Sequence, residues 1–307
     1  MANPKLMLSV PNTWKFTDGN GISIAVIDTG CDISHQAFRD VDIQALGVGN
    51  GEDEFSEKLQ EDWKKDVHGH GTFVCSIIAK MVPKAKIISI KAVGNDGATS
   101  YYKMANAIYL AAAIGCVVIN VSVGGDLAIT PVKQAVKYAN KRNISIVCAA
   151  GNSGHDGSQN FIMYPARYEE TIAVGSVNKH EELSLFSTIG KEIDFVAIGE
   201  DVNGAGINGE FVTMSGTSFS CPYVSSIVAM CASKHLEQEK DTGNNDCRTV
   251  DEVREHLIKY YARDIDREGK DRNTGNGIIN IGSLIKKEQS PLQKMLNFIR
   301  DVFYGLF

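Results

Sequence analysis

The chain has 307 residues, 43% of them hydrophobic and 22% charged, with a formal net charge of -6. That apolar content excludes a disordered chain, and the acidic balance argues against a nucleic-acid partner, which selects a basic face. A chain of this length buries a large core, and no Pro/Ser-rich linker splits it before the polar stretch at 237–245, so one main domain is expected.

In chain order, residues 1–13 carry only a broken apolar run with Pro4 and Pro11, too short for a secretory signal. Short β-branched runs follow at Ile22–Ile27, Ile87–Ala92, Val117–Val121, Ile144–Ala149, Thr171–Val174 and Ile193–Val196. Each is bounded by Gly, Asp or Asn and reads as a buried strand. Between them Ser100–Ile114 and Pro131–Arg142 read as helices, the second with Thr130 as N-cap and Pro131 at its first position. Continuous apolar strands alternating with helices predict an α/β fold: a doubly wound, mostly parallel sheet with helices on both faces. Three segments stand apart. Glu52–Asp66 reads as an exposed acidic insertion and Glu237–Asn245 as a polar loop. The tail places Leu292, Met295, Leu296, Ile299, Val302, Phe303 and Leu306 on one helical stripe. The expected organisation is a domain over 1–285 with its core in 14–233, followed by an amphipathic helix in 286–307 that packs on the domain or on a dimer mate. Seven cysteines, an odd count without a C-x-x-C pair, suit a reducing compartment. Nothing approaches a membrane span, so cytoplasmic localisation is expected without a membrane partner.

Four short segments carry chemistry. Asp28 ends a buried apolar strand, and ligands of open α/β sheets gather at the carboxyl ends of strands. His68-Gly69-His70-Gly71-Thr72 opens a helical pattern. Ser215-Gly216-Thr217-Ser218 puts a serine at the mouth of an apolar helix, where free N–H groups favour developing negative charge. A serine hydroxyl becomes a nucleophile when an imidazole takes its proton, and the imidazole needs a carboxylate to fix its tautomer. The fourth segment, Ala149-Ala150-Gly151-Asn152-Ser153-Gly154, ends another apolar strand in an amide. Such a donor to a tetrahedral oxyanion is worth roughly 2.7–4 kcal/mol of barrier.

In this order D-T-G, H-G-T, A-A-G-N-S-G and G-T-S-x-x-x-P resemble the subtilisin-type serine proteases, or subtilases, over about residues 14–233. Cys31 after D-T-G, Leu183–Ser187 and Lys191–Asp194 point towards the intracellular serine proteases of bacilli. The resemblance implies a three-layer α/β/α fold, with Asp28 as acid, His70 rather than His68 as base and Ser218 as nucleophile. It also implies Asn152 and the Ser218 N–H as the oxyanion hole. Ser122, Val123 and Gly124 match the strand that pairs with substrate, and Gly97, Ala98 and Thr99 are expected on its other side. Ser122–Gly124 and Ala149, Ala150 and Gly151 are the expected walls of the pocket for the residue before the scissile bond (P1). Ser153 and Met163 lie towards its base, and the lack of an acid there predicts an apolar P1 side chain.

Two departures from the family pattern carry expectations. Ser76–Lys80 runs straight into Met81–Ala85 where the family has a calcium loop, and Ala37 stands near where an acidic ligand is expected. The tight calcium site is therefore expected to be missing and no cofactor required, leaving room only for a weak calcium or sodium site near Pro165–Tyr168. Phe73 and Tyr223 replace imidazoles of the pattern and are expected to pack together. The expected activity is that of an intracellular serine endopeptidase acting on peptides or unfolded proteins through an acyl-enzyme on Ser218. The alternatives are a dedicated leader or processing peptidase, and a peptide-binding pseudo-protease with a silent triad. His68 reads as a loop histidine at the rim.

Overall fold

The computed structural model describes residues 18–49, 63, 65–154, 161–242 and 249–279. The N-terminal segment, most of Glu52–Asp66 and the C-terminal stripe lie outside the described residues. Strand β1 (Ser23–Asp28) is buried from Ile24 onward because strands flank both its edges and helices cover both its faces. Edge strand β2 (Ile43–Gly47) and helix α1 (His70–Met81) follow. Next come β3 (Lys86–Lys91), α2 (Tyr101–Ala113), β4 (Val118–Val121), α3 (Thr130–Asn140) and β5 (Ser145–Ala149). After β6 (Ile172–Val177) and β7 (Phe195–Ile198), a hairpin of β8 (Val202–Ala205) and β9 (Phe211–Met214) leads into the long helix α4 (Thr217–Thr242). Helix α5 (Val250–Tyr260) and the short strands β10 (Ala262–Arg263) and β11 (Ile278–Ile279) complete the described chain.

The nine-stranded sheet runs β10-β11-β7-β6-β5-β4-β1-β3-β2. All its neighbours pair parallel except β10 with β11. The strand order reverses at β1, which has β3 on one side and β4 on the other. A crevice opens outside the carboxyl ends of the strands at such a reversal, and Asp28 is the last residue of β1.

Successive side chains of a strand face opposite ways, so β1 feeds two cores. Ile24 and Val26 join Phe73, Ile78, Val224 and Val228, beneath α1 and α4. Ala25 and Ile27 join Met104, Ile108, Val132 and Val136, beneath α2 and α3. Each fully buried Ile or Val contributes about 1.5–3 kcal/mol relative to exposure. The observed layers are the doubly wound α/β/α arrangement read from the sequence.

Six predicted strands appear within a few residues of their expected bounds. Ser100 caps α2 as its position suggests, its side chain accepting from the Lys103 N–H at 3.1 Å. Three expectations are corrected, one of them the polar loop at Glu237–Asn245, whose residues 237–242 continue helix α4. Ile129, extended and without a capping side-chain bond, is the N-cap of α3, and Thr130 is already its first residue. The end of the acidic insertion is not solvated either, since Trp63 is 9% and Asp66 5% exposed.

Candidate active site

The end of β1 and the start of α1 meet at closest approach through Gly71. A Cβ there would fall 2.1 Å from the Gly30 carbonyl oxygen and 3.1 Å from the Asp28 Cβ, so only glycine admits the contact. Across it the His70 Nδ1 lies 2.7 Å from Asp28 Oδ1, which also accepts from the Thr29 N–H at 2.7 Å. Asp28 is fully buried and the His70 ring about one-fifth exposed. Burial is the largest single influence on His70 and pulls its pKa down. The charge and hydrogen bond of Asp28, with the Asp66 charge, oppose it, and the net shift is upward from the ordinary imidazole value.

Asp66 is a functional candidate that the sequence reading missed. Its Oδ1 accepts from the Thr29 hydroxyl (2.9 Å) and from the N–H groups of His68 (3.1 Å) and Gly69 (2.9 Å). Its Oδ2 accepts from the Thr72 N–H and hydroxyl, both at 2.8 Å. The Thr29 hydroxyl in turn accepts from the Gly71 N–H, and that of Thr72 from the Asp32 N–H, each at 2.9 Å. One buried carboxylate thus holds the turn after Asp28 against the N-terminus of the helix that starts with His70. Its position four residues before His70 was a usable signal, obscured by the acidic run it ends.

Ser218 is the second residue of α4 and is 9% exposed. Its hydroxyl donates to the Ser122 carbonyl oxygen at 3.0 Å, and the Ser122 hydroxyl donates back to the Ser218 carbonyl at 2.9 Å. Pro222 explains the second bond. Proline has no N–H to give the carbonyl four residues earlier, so a side chain from β4's end supplies the donor. The Phe219 ring next along packs 5.4 Å from His70 and 4.5 Å from Phe73, centroid to centroid, bringing the mouths of α1 and α4 together. Tyr223 lies half-buried against the same core layer.

Asn152 is held by its oxygen. Oδ1 accepts from the Thr217 N–H and hydroxyl, both at 2.9 Å, which leaves the exposed Nδ2 as a donor beside the start of α4. Of the expected pocket residues, Ser122 sits directly against Ser218. Gly124 and Gly151 both border Met163, with ideal Cβ positions 2.9 and 3.0 Å from its side chain. Ala149 and Ala150 are buried beneath them. Gly97, Ala98 and Thr99 form a turn before α2, with the Gly97 N–H on Gly94 and the Ala98 N–H on Asp96. The side chain of His68 is 3.2 Å from an ideal Gly97 Cβ, and its ring centroid is 6.2 Å from that of His70. Among the described residues no cluster of three His, Cys, Asp or Glu side chains is placed to hold a metal, and no helix is long and apolar enough to cross a membrane.

Comparison with known proteins gives the family of the chain. The sequence model of the subtilase family matches residues 19–277, nearly the whole described chain. The chain belongs to the subtilase family. It is 38% identical over 246 residues to the major intracellular serine protease of Bacillus subtilis, covering 76% of this chain and 75% of that one. It is 32% identical over 283 residues to an intracellular serine protease of Paenibacillus polymyxa, covering 89% and 83%. Among solved structures, the prenylagaramide maturation protease PagA superposes with a TM-score of 0.74, covering 91% of this subtilase and 98% of that chain. At 24% identity that likeness speaks for the fold. This subtilase is a serine protease, and its substrates are peptide chains.

Proposed function

We propose that the subtilase is a cytoplasmic endopeptidase in which Asp28, His70 and Ser218 form the catalytic triad and Asn152 the oxyanion hole. The observation that carries this reading is the 2.7 Å bond from a fully buried Asp28 to a partly exposed His70 at the sheet's reversal point. Asp28 fixes the ring so that Nδ1 carries a proton and Nε2 is the free base. Ser218 Oγ attacks the scissile carbonyl carbon while its proton passes to His70. The oxyanion meets Asn152 Nδ2 and the Ser218 N–H, and His70 then protonates the departing amine. Water enters by the same route and attacks the acyl carbon while giving its proton to His70, which passes that proton to the departing Ser218 Oγ as the acid product leaves.

Substrate binding is coupled to activation of the nucleophile. A peptide pairing with Ser122–Gly124 presents an N–H to the Ser122 carbonyl, the acceptor that the Ser218 hydroxyl otherwise uses. Losing that acceptor frees the hydroxyl to turn to His70. Met163 between Gly124 and Gly151 gives the P1 pocket an apolar lining without an acid, so apolar P1 residues are favoured over Arg. The intracellular relatives and the six free, buried cysteines of the described residues support a reducing setting.

A fluorophosphonate probe should label the wild type and leave Ser218→Ala unlabelled, while a peptide library is cut after apolar residues. An unlabelled wild type, or a tenfold preference for Arg at P1, contradicts the corresponding part of this reading.

A further inference from the structure

Two imidazoles flank the glycine that opens α1. His68 is exposed, the His70 ring is about one-fifth exposed, and their centroids are 6.2 Å apart. Gly69 between them takes φ 88°, the left-handed conformation that glycine adopts without strain. Asp28 holds the Nδ1 of His70 at 2.7 Å, which leaves the lone pair on Nε2. Metal-ligating histidines are commonly set in this way, with the second ring N–H on a carboxylate. His68 is anchored by its backbone N–H, which donates to Asp66 Oδ1 at 3.1 Å, and its ring makes no hydrogen bond with another described residue. Gly97 leaves that ring room, since an ideal Cβ there would lie 3.2 Å from His68 Nε2. Asp28 and Asp66 are buried beside the pair, and Asp96, on whose Oδ1 the Ala98 N–H rests at 3.0 Å, adds a third carboxylate in the turn that carries Gly97. Lys91 opposes them, held by the Thr29 carbonyl at 2.6 Å and Asn95 at 2.8 Å.

We propose that His68 and His70 form a two-imidazole site for a borderline-soft divalent cation, zinc above all, and that the bound ion is a reversible brake on cleavage. Imidazole suits zinc, whereas a hard cation such as magnesium takes oxygen ligands. With Zn–N bonds of about 2.0–2.1 Å and tetrahedral angles, two rings on one ion stand roughly 5 Å apart between centroids. The exposed His68 ring closes the small remainder by the rotamer motion of a surface side chain. Water completes the coordination, so the ion is held less tightly than in a closed four-ligand site. The ion takes the lone pair of His70 Nε2, the pair that has to receive the Ser218 proton, and acylation stops until the ion leaves. The brake depends on His70 being the base; the binding of the ion does not.

Zinc binding is measured by calorimetry on the full chain carrying Ser218→Ala, which prevents self-cleavage. One zinc ion per chain should bind, and adding His68→Ala or His70→Ala should weaken that binding at least about tenfold. His180→Ala, which removes an exposed histidine elsewhere, should leave it unchanged. With Ser218 intact, cleavage of a fluorogenic peptide in metal-free buffer should fall when zinc is added, recover in EDTA and ignore magnesium. Each variant is compared with its own metal-free rate, and His68→Ala should need at least about tenfold more zinc for half-inhibition. Its exposed position lets that variant fold. Equal zinc sensitivity of wild type and His68→Ala, or zinc binding unaltered by either histidine substitution, overturns the proposal. Zinc bound through both histidines without loss of cleavage overturns the brake and counts against His70 as base. A wild type that is silent even in metal-free buffer contradicts the triad reading, and calorimetry then judges the zinc site on its own.

Discussion

Asp66 accepts five hydrogen bonds from four residues while buried and unpaired with any cation among the described residues. Its negative charge adds to that of Asp28 in holding the His70 pKa above the ordinary imidazole value, against burial. A base with a raised pKa stays protonated, and so inactive, to a higher pH. Asp66→Asn removes one of the opposing charges, so the His70 pKa should fall and the ascending limb of kcat/KM against pH should move towards acid. The amide also turns an N–H₂ towards donors, at a cost of about 1–3 kcal/mol in stability. Asp66→Glu keeps the charge and should keep the limb near its original place. A limb that stays put in Asp66→Asn while stability falls would leave Asp66 only a structural part. The placement of Asp28, His70, Asn152 and Ser218 was legible in the sequence because each ends or opens an apolar element, or lies just beyond one, with a characteristic Gly, Thr or Ser beside it. Asp66 was not, because an acid closing an acidic run reads as surface until Thr29 and Thr72, 43 residues apart in the chain, are seen to converge on it.

Helix α4 shows how one residue choice moves a hydrogen bond between elements. Pro222 cannot donate to the Ser218 carbonyl, and the Ser122 hydroxyl at the end of β4 donates instead. The Ser122 hydroxyl itself accepts from Asn120 Nδ2 at 2.9 Å, and Ser225 donates to Asn120 Oδ1 at 2.8 Å, so α4 and β4 are laced by a closed polar chain. Ser122→Ala leaves a buried carbonyl without its donor and should cost about 1–3 kcal/mol. In a Pro222→Ala background the backbone N–H returns, and the same substitution should cost about 1 kcal/mol less. Urea unfolding of the four proteins of this cycle measures the coupling, and strictly additive losses would show that Ser122 and Pro222 do not share the carbonyl. The sequence marked Pro222 as part of a motif and Ser122 as a substrate-strand residue. Their link through the Ser218 carbonyl is tertiary, formed by residues 96 apart, and no local pattern encodes it. The cap of α3 also lies one residue before the expected Thr130, at Ile129, which is partly buried against the core.

Across the whole molecule, legibility followed burial. Strands with neighbours on both edges and helices on both faces are continuous apolar runs, and these stood out in the sequence. Those it left unread lie at the margins: β2 with one neighbour, the β8–β9 hairpin outside the main sheet, and the two-residue strands β10 and β11. Their positions are set by partners distant in the chain rather than by their own periodicity. The same gradient sets an order of local stability. β1, β4 and β5 sit between both cores and open only when the domain unfolds, whereas β10 joins β11 through two residue pairs and β11 joins β7 through one. Edges held so lightly open by local fluctuation at a fraction of the global free energy. Hydrogen exchange followed by mass spectrometry should therefore find amides of 24–27, 119–121 and 146–148 slowest. Those of 262–263 and 278–279 should exchange far sooner, and sooner still in Arg254→Ala, which removes the bonds from Arg254 Nη2 on α5 to the Glu169 and Thr171 carbonyls before β6. Protection at β10 and β11 equal to that of β4 and β5 would mean that the C-terminal strands belong to the same cooperative unit as the catalytic sheet.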